Sequence, residues 1–309
     1  ILLNSVLESD QDNSDARQLQ GKILFVQGKF EESLTVLNKA LEKHPEDADA
    51  VLMLFRAYAA SGQGDKGVDL LRGFVRKFPN FVPGRMALSS YYVEIGELDS
   101  AAEQLTAALE FAPNDAEIYL LLGDIEAGRN NLDKAKEYFE AAGKEPGAAL
   151  ASLMRLGNLS LTEKKYGDAL KYFEKAIKDF PDAPQPPEGK VLALLQQKKF
   201  KDAYDWAIKR AKDRPKDAAA QELASRVSML ANKPKDAEEY LQKSMQLAPD
   251  ALKPITQMVT LYLQLDRRSD AIKMLRGKLA EFPPLELTLA QVLGEGKDNA
   301  EKDEAERLY

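Results

Sequence analysis

The chain contains no cysteine and a single histidine, His44, among its 309 residues. The absence of cysteine excludes disulfides, thiol catalysis and cysteine-based zinc sites together, and leaves the redox compartment open. His44 lies in a predicted loop before Pro45, so neither a histidine-based metal site nor a Ser-His-Asp relay can be assembled around it. The sequence therefore predicts no metal, no cofactor and no catalytic residue.

Long apolar runs and an excess of positive charge are also missing. No run of 18 apolar residues exists, so no membrane span is predicted in this chain. The formal net charge of −7 disfavours nucleic acid or an anionic membrane as the main partner. Alternating β-branched runs are scarce, and 44% of the residues are hydrophobic and 30% charged. This composition, with its helical periodicity, indicates an all-α protein.

Two local patterns resemble a cofactor-binding motif and a catalytic carboxylate pair, but neither supports such a role. Gly62, Gly64 and Gly67 satisfy the dinucleotide-binding pattern G-x-G-x-x-G, but that motif needs a preceding strand, whereas a helical pattern precedes it here. Carboxylate pairs such as Glu31 and Glu32 lie on helical patterns as solvated charges. We therefore predict that this chain is not an enzyme.

The sequence does have a period of 34 residues. A proline recurs at eight places, and all but one of these lie on a strict 34-residue spacing: Pro45, Pro79, Pro113, Pro146, Pro181, Pro215, Pro249 and Pro283. Only Pro146 departs, by one residue. A small residue recurs with the same spacing: Ser33, Gly67, Ala101, Ala135, Ala169, Ala203, Ala237, Ala271 and Ala305. Such self-similarity predicts an array of tandem repeats, and the small residues let two helices approach closely.

Residues 116–149 show the repeat most completely. A first helical pattern carries Tyr119, Leu122 and Gly123, a second carries Ala135, Phe139 and Ala142, and Pro146 closes the unit. These residues resemble the signature of the tetratricopeptide repeat (TPR) family. The resemblance implies an all-α fold, namely a right-handed superhelical solenoid of antiparallel helix pairs.

The period divides the chain into nine segments beyond an initial partial repeat, all within one continuous solenoid domain. Residues 1–13 are predicted to be the second helix of a truncated repeat, and whole repeats follow at 14–47, 48–81, 82–115, 116–149, 150–183, 184–217, 218–251 and 252–285. Residues 286–309 are predicted to form a further partial repeat. We expect the chain to be a fragment of a longer array, whose exposed terminal repeats could support self-association.

The turn between the two helices of a repeat needs a residue that tolerates the left-handed conformation. Gly28, Gly62, Gly96, Asn130 and Asn232 suit this place, whereas Lys164, Lys198 and Asp266 are poorer, so we predict that their turns are built differently. Two further departures carry predictions. Phe55 stands where most repeats have a small residue, and Gly67 is expected to make room for it. Pro184, Pro186 and Pro187 predict a late helix start.

The resemblance further implies that the first helices line a concave groove. The residues expected to face it in four successive repeats are Leu52, Arg56, Met86, Ser90, Leu120, Asp124, Met154, Asn158 and Leu161. Apolar side chains at 34-residue spacing would suit an amphipathic helix or an extended peptide. The alternative is that these side chains pack between neighbouring first helices.

Positive charge gathers around the only tryptophan, Trp206. The candidate basic patch comprises Lys198, Lys199, Lys201, Lys209 and Arg210. The favoured interpretation is a solvated outer face; the alternatives are a surface for an acidic partner or polyanion, such as nucleic acid, and a bend in the superhelix.

The sequence thus predicts a non-catalytic scaffold that binds a protein or peptide ligand, with no nucleic acid expected. Its composition is similar to that of long bacterial TPR proteins of exopolysaccharide export and surface-protein sorting. This similarity favours an export or assembly component in the periplasm or cell envelope. The alternative is a regulatory or substrate-recruiting arm of an enzyme whose catalytic domain lies outside these residues.

Overall fold

A computed structural model describes residues 10, 13–296 and 298–308. All the α-helices and the one 3₁₀ helix found there alternate with short turns, and no strand occurs among the described residues. The all-α prediction is confirmed. The predicted helix over residues 1–13 lies almost entirely outside the described part of the chain, as does Tyr309.

The helices form antiparallel pairs that follow the 34-residue period. Those of the first five repeats are α1 Ser14–Val26, α2 Phe30–Lys43, α3 Ala48–Ala60, α4 Gly64–Lys77, α5 Val82–Glu94, α6 Leu98–Leu109, α7 Ala116–Gly128, α8 Leu132–Ala142, α9 Ala149–Thr162 and α10 Tyr166–Asp179. The remaining helices are α11 Gln185–Gln196, α12 Phe200–Asp213, α13 Ala218–Leu230, α14 Pro234–Leu247, α15 Leu252–Gln264, α16 Arg268–Lys278, α17 Leu285–Gly294 and α18 Asn299–Leu308.

Contacts divide the chain into two compact units, Ile1–Leu159 and Ser160–Tyr309, which we call the first and second units. The division falls within α9. Each unit has its own buried cores: one in the first unit extends from Val51 to Ile125, and one in the second extends from Ala237 to Ala305.

Several first helices begin at an acidic or amide cap that recurs with the repeat. Asn13, Asp47, Asp115 and Asp217 each accept a hydrogen bond from a backbone N–H in the first turn of the helix that follows. In the case of Asp47 the bond to the Ala50 nitrogen is 3.0 Å long. These caps satisfy backbone donors that would otherwise lack a partner, and so fix where each repeat begins.

The core of each repeat pairs a small residue with a bulky one. The small residues identified in the sequence are buried, and Ala101, Ala135 and Ala169 have no exposed surface. Bulky partners on the same helices, such as Leu105 and Phe173, are equally buried. Glycine plays the same part on first helices: a β-carbon on Gly123 would lie 2.3 Å from the Phe139 ring. Close helix approach therefore depends on small side chains in the places that the period marked.

The turns between paired helices share one backbone conformation. Gly28, Gly62 and Gly96 have φ between 74° and 83°, and Asn130 and Asn232 are also left-handed, as predicted. The prediction that Lys164, Lys198 and Asp266 build different turns is wrong, because their φ values of 60°, 60° and 57° are left-handed as well. The reason is that the helix pairing imposes the turn: the N–H of Lys199 donates to the Leu194 carbonyl just as that of Lys29 donates to Leu24.

Two local departures have the effects that the sequence suggested. The Phe55 ring is buried and lies against Gly67. Helix α11 begins at Gln185, one residue into its repeat, with Pro186 and Pro187 in its first turn, where proline is tolerated. The early Pro146 starts a 3₁₀ helix, Pro146–Ala148, which leads directly into α9.

Candidate functional site

A pocket of about 400 Å³ opens between α5 and α7 of the first unit. Its walls are mostly apolar, and two of the residues predicted to face the groove, Ser90 and Asp124, stand at its polar side. The lining consists of Ser89, Ser90, Val93, Leu98, Leu121, Asp124, Ile125 and Gly128. Val93 is 44% exposed although it is apolar, so the pocket offers accessible hydrocarbon to a ligand.

The carboxylate in this pocket is oriented by the next first helix. Arg155, on α9, donates from Nε to both oxygens of Asp124 at 2.9 and 3.0 Å, and its Nη2 lies 2.9 Å from Oδ2. A guanidinium held this way matches the planar carboxylate and fixes its direction. Ser90 donates its hydroxyl to the Met86 carbonyl at 3.0 Å, which leaves its oxygen lone pairs as acceptors.

The second unit contains a pocket of about 220 Å³ at the equivalent place between α13 and α15. Counting from the first residue of each repeat, both pockets use places 8, 9 and 12 of one repeat and places 6, 9, 10 and 13 of the next. The second pocket is lined by Ser225, Arg226, Met229, Leu241, Gln257, Thr260, Leu261 and Gln264. The pockets therefore arise from the repeat itself, with different chemistry in each.

Polar side chains of the second pocket are also held from neighbouring helices. Arg226 lies 3.2 Å from Glu188 of α11. The amide nitrogen of Gln257 donates to Glu222 at 3.0 Å, and Lys253 pairs with the same carboxylate. The rim of this pocket therefore carries a paired guanidinium and amide groups, whereas the rim in the first unit carries a paired carboxylate.

The other predicted groove residues do not line these pockets. Leu52 and Met86 are half-buried and pack against the core of the first unit, while Leu120 and Met154 are also half-buried. Arg56 and Asn158 are exposed, and Leu161, in the second unit, is half-buried. The sequence analysis missed places 6, 8 and 10, represented by Leu121, Ser89 and Ile125. Place 6 gave no signal, because its residue type varies from repeat to repeat, as Leu121 and Gln257 show.

A buried carboxylate lies next to the first pocket. Glu126 follows Ile125 on α7, and its side chain is only 1% exposed. It accepts from Arg129 at 2.9 Å, from Lys134 at 3.1 Å and from Asn131 at 2.8 Å. Burial alone would raise the pKa of Glu126, but the hydrogen bonds from Asn131 and Lys134 and the charges of Lys134 and Arg129 outweigh it and hold the pKa below its ordinary value.

The candidate basic patch is spread along the length of α12. Lys198, Lys199 and Lys201 are exposed at the turn that begins the helix, whereas Lys209 lies roughly 15 Å further along it at 1.5 Å per residue. Arg210 is mostly covered, lies 3.8 Å from Asp217, and stands over the Trp206 ring. Burial, together with the nearby Arg214 charge, lowers the pKa of Arg210. Only the lysines present free charge to a partner.

Two classes of site are absent from the described residues. There, no cluster of three or more histidine, cysteine, aspartate or glutamate side chains is arranged to hold a metal ion. None of the described helices combines the length and apolar character needed to cross a membrane.

Comparison with known proteins gives matches to repeat families and folds. Two family models, both described as tetratricopeptide repeat, match the chain: one over residues 24–88 and 160–227, the other over residues 86–149 and 127–184. Together they cover residues 24–227, about two thirds of the chain. A comparison with curated protein sequences found no match.

Among solved structures, the chain is similar to a tetratricopeptide repeat protein from Parabacteroides merdae, with a TM-score of 0.53 at 14% identity over 82% of this chain and 99% of that one. It is also similar to yeast Tom70, with a TM-score of 0.55 at 17% identity over 90% of this chain and 57% of that one. These likenesses are in the fold.

Proposed function

We propose, from the premise that the chain belongs to the tetratricopeptide repeat family, that it binds a peptide or helical segment of a partner protein along its first helices. Proteins of this family are generally non-catalytic interaction scaffolds. The chain's role as a protein-interaction scaffold follows from its membership, and the groove and the form of the ligand are the proposal.

The observation that carries the proposal is the recurrence of one pocket at equivalent places of two repeat pairs. Both pockets lie between consecutive first helices, and both combine an apolar floor with polar side chains held in place by neighbours. An apolar anchor of a ligand would enter the floor, and its backbone would meet the oriented polar groups at the rim. Binding of this kind is typical of a short segment and does not need an enclosed cavity.

The two rims differ in charge, which indicates ligand preferences. In the first unit Asp124 is already paired with Arg155, so the pocket suits an apolar side chain beside an uncharged or basic neighbour. In the second unit Arg226, Gln257, Thr260 and Gln264 surround Met229 and Leu261. That pocket suits an apolar side chain flanked by hydrogen-bonding or acidic groups.

Gly128 permits a direct test, because it lines the first pocket at the end of α7 and an added β-carbon would lie 3.7 Å from Leu98, an ordinary contact. Gly128→Leu should therefore fill the pocket without disturbing the helix. The matched control is Gly73→Leu, since Gly73 is an exposed helical glycine with nothing within 4 Å of an added β-carbon.

Peptides would be selected on the wild-type chain from a random display library, and their affinities measured by fluorescence anisotropy. We expect peptides with an apolar anchor, at least about tenfold weaker binding to Gly128→Leu, equal to about 1.4 kcal/mol, and unchanged binding to Gly73→Leu. Failure to select any peptide, or a selection in which every peptide binds all three proteins equally, would contradict the groove in the first unit.

A further inference from the structure

The turns between paired helices are basic in the second unit. We define the turn edge as the residues at places 15 to 19 of its four repeats, namely 164–168, 198–202, 232–236 and 266–270. Nine lysines and arginines stand there against five aspartates. The same places of the first unit carry three lysines against six acidic residues. The basic character is therefore confined to one unit and does not come from the repeat pattern.

The last three turns of the second unit lie close together, because side chains of one turn reach the neighbouring repeat. The Lys233 ammonium stands 3.7 Å from the centre of the Tyr204 ring, at the start of α12. The Arg267 guanidinium pairs with Glu238, near the start of α14, at 2.6 Å. These contacts bring the charges of the turns at 198–202, 232–236 and 266–270 near one another.

Most of the positively charged side chains on this edge make no ion pair within the described residues. Lys164, Lys198, Lys199, Lys201 and Lys235 are all exposed, and within the described part of the chain none of them makes an ion pair. Arg267 and Arg268 are engaged with carboxylates of their own unit. The free charge therefore lies in the first three turns and is carried by lysine.

The backbone makes lysine a costly choice at two of these places. Lys164 and Lys198 have φ of 60°, where an ordinary residue costs about 1 kcal/mol more than glycine. Packing does not demand a side chain, because in the equivalent places Gly28, Gly62 and Gly96 an added β-carbon would meet nothing within 4 Å. Lysine therefore occupies these two places against the local conformational preference.

An exposed aromatic ring lies among these lysines. Phe200 lies between Lys199 and Lys201 and is 55% exposed. Equivalent places hold Tyr166 and Pro234 in the adjacent repeats. A large apolar side chain flanked by free ammonium groups offers both hydrophobic contact and electrostatic attraction.

We propose that the turn edge of the second unit is a second interaction surface, which binds an acidic polypeptide segment carrying an apolar residue that packs on Phe200. Complementary charge attracts the segment, and Phe200 fixes its position. A polypeptide is favoured over nucleic acid or membrane for two reasons. Five aspartates stand among the lysines and arginines of the edge, which interrupts the positive charge that a continuous phosphate backbone would follow. Lysine also provides point charges in place of the bidentate phosphate recognition of arginine.

The test uses the full chain and a fluorescein-labelled peptide of about twelve residues, roughly 40 Å when extended, built from aspartate and glutamate around one phenylalanine. The control peptide replaces each acid by its amide. We expect the acidic peptide alone to bind, with affinity falling at least about tenfold as salt rises from about 50 to 300 mM. Lys198→Gly/Lys199→Gln/Lys201→Gln should weaken binding at least about tenfold.

A matched variant separates this surface from general attraction. Lys175→Gln/Lys178→Gln/Lys212→Gln removes the same charge from exposed lysines on α10 and α12 away from the turns, and should bind within about twofold of the wild type. Phe200→Ser should weaken binding without changing the salt dependence. Gly128→Leu should leave it unchanged, so that failure here is distinct from failure of the groove.

Several outcomes would overturn the proposal. They are equal losses in both triple variants, no binding of the acidic peptide, and tighter binding of a thymidine oligonucleotide or of vesicles containing phosphatidylserine than of the peptide. Tighter binding of the oligonucleotide would assign the edge to a nucleic acid, and tighter binding of the vesicles would assign it to a membrane surface.

Discussion

The Phe55 ring lies against the backbone of Gly67, with Cδ2 only 3.2 Å from the point that a β-carbon on Gly67 would occupy. The Phe55 carbonyl oxygen lies 3.1 Å from the same point, and the Tyr58 β-carbon lies 3.0 Å from it. Two of these neighbours are backbone or near-backbone atoms, which cannot rotate away. The close packing of α3 and α4, the helices of the second whole repeat, therefore depends on the absence of a side chain at Gly67.

Gly67→Ala should destabilise the protein although alanine favours helices. Overpacking of this kind costs about 1–3 kcal/mol, which exceeds the gain of about 0.5–1 kcal/mol from replacing a helical glycine. The change is measured as a lower midpoint of thermal unfolding followed by circular dichroism. Gly73→Ala on the same helix is the control: its β-carbon meets nothing within 4 Å, so stability should rise. A gain from both substitutions would contradict the close approach.

The buried Glu126 predicts a pH-dependent contribution to stability. Because its pKa is lower in the folded protein than the ordinary value of 4.5, the carboxylate stabilises the fold above that value, and this contribution is lost as pH falls through the folded pKa. Glu126→Gln should cost about 1–3 kcal/mol at pH 7. The difference in free energy of unfolding between wild type and variant, measured in urea, should shrink on acidification; a difference that is constant with pH would show that charge is not involved.

Neighbouring lysines in one turn predict opposite effects of the same substitution. Lys198 is left-handed, whereas Lys199 has φ of −86°. Lys198→Gly should raise stability by about 0.5–1 kcal/mol because glycine relieves the backbone conformation, and Lys199→Gly should lower it by a similar amount through lost chain entropy. Both substitutions remove one exposed charge, so differential scanning calorimetry compares conformation alone. Equal shifts would indicate that the left-handed geometry carries no cost here.

Substitutions at Leu120 and Ala135 distinguish a groove position from a core position in the central repeat. Ala135 has no exposed surface, and Ala135→Leu should force α7 and α8 apart at a cost of about 1–3 kcal/mol. Leu120 is half-buried on the first helix but outside the pocket lining, so Leu120→Asp should leave the unfolding midpoint nearly unchanged and should weaken capture of the selected peptides less than Gly128→Leu does. Similar destabilisation by the two variants would place Leu120 in the interior.

The sequence predicted the elements of this fold because the fold repeats. A period of 34 residues marks the same packing contact many times, so Ala101, Ala135 and Ala169 could be assigned to the helix interface from the sequence alone. The geometry of the turns was only partly predictable from the sequence. The backbone at Lys164, Lys198 and Asp266 is set by the packing of the helices that they join and overrides the preference of the residue itself.

The pockets were less predictable than the helices. Ser90 and Asp124 were assigned to the groove by resemblance, and they do share a pocket. Which other places line it depends on how far one first helix is shifted along its neighbour, and the period holds no information on that distance. The pairing of Asp124 with Arg155 depends on the same shift. Side-chain partners between repeats therefore had to come from the structure.

Glycine, asparagine, lysine and aspartate all occupy the left-handed turn position, yet the backbone path through it is the same. The packing of the helices does not depend on which of them is present. The charge of these turns could therefore change during evolution, from acidic to basic or back, by single-residue substitutions that leave the helices in place. A change of partner would then not require an unfolded ancestor.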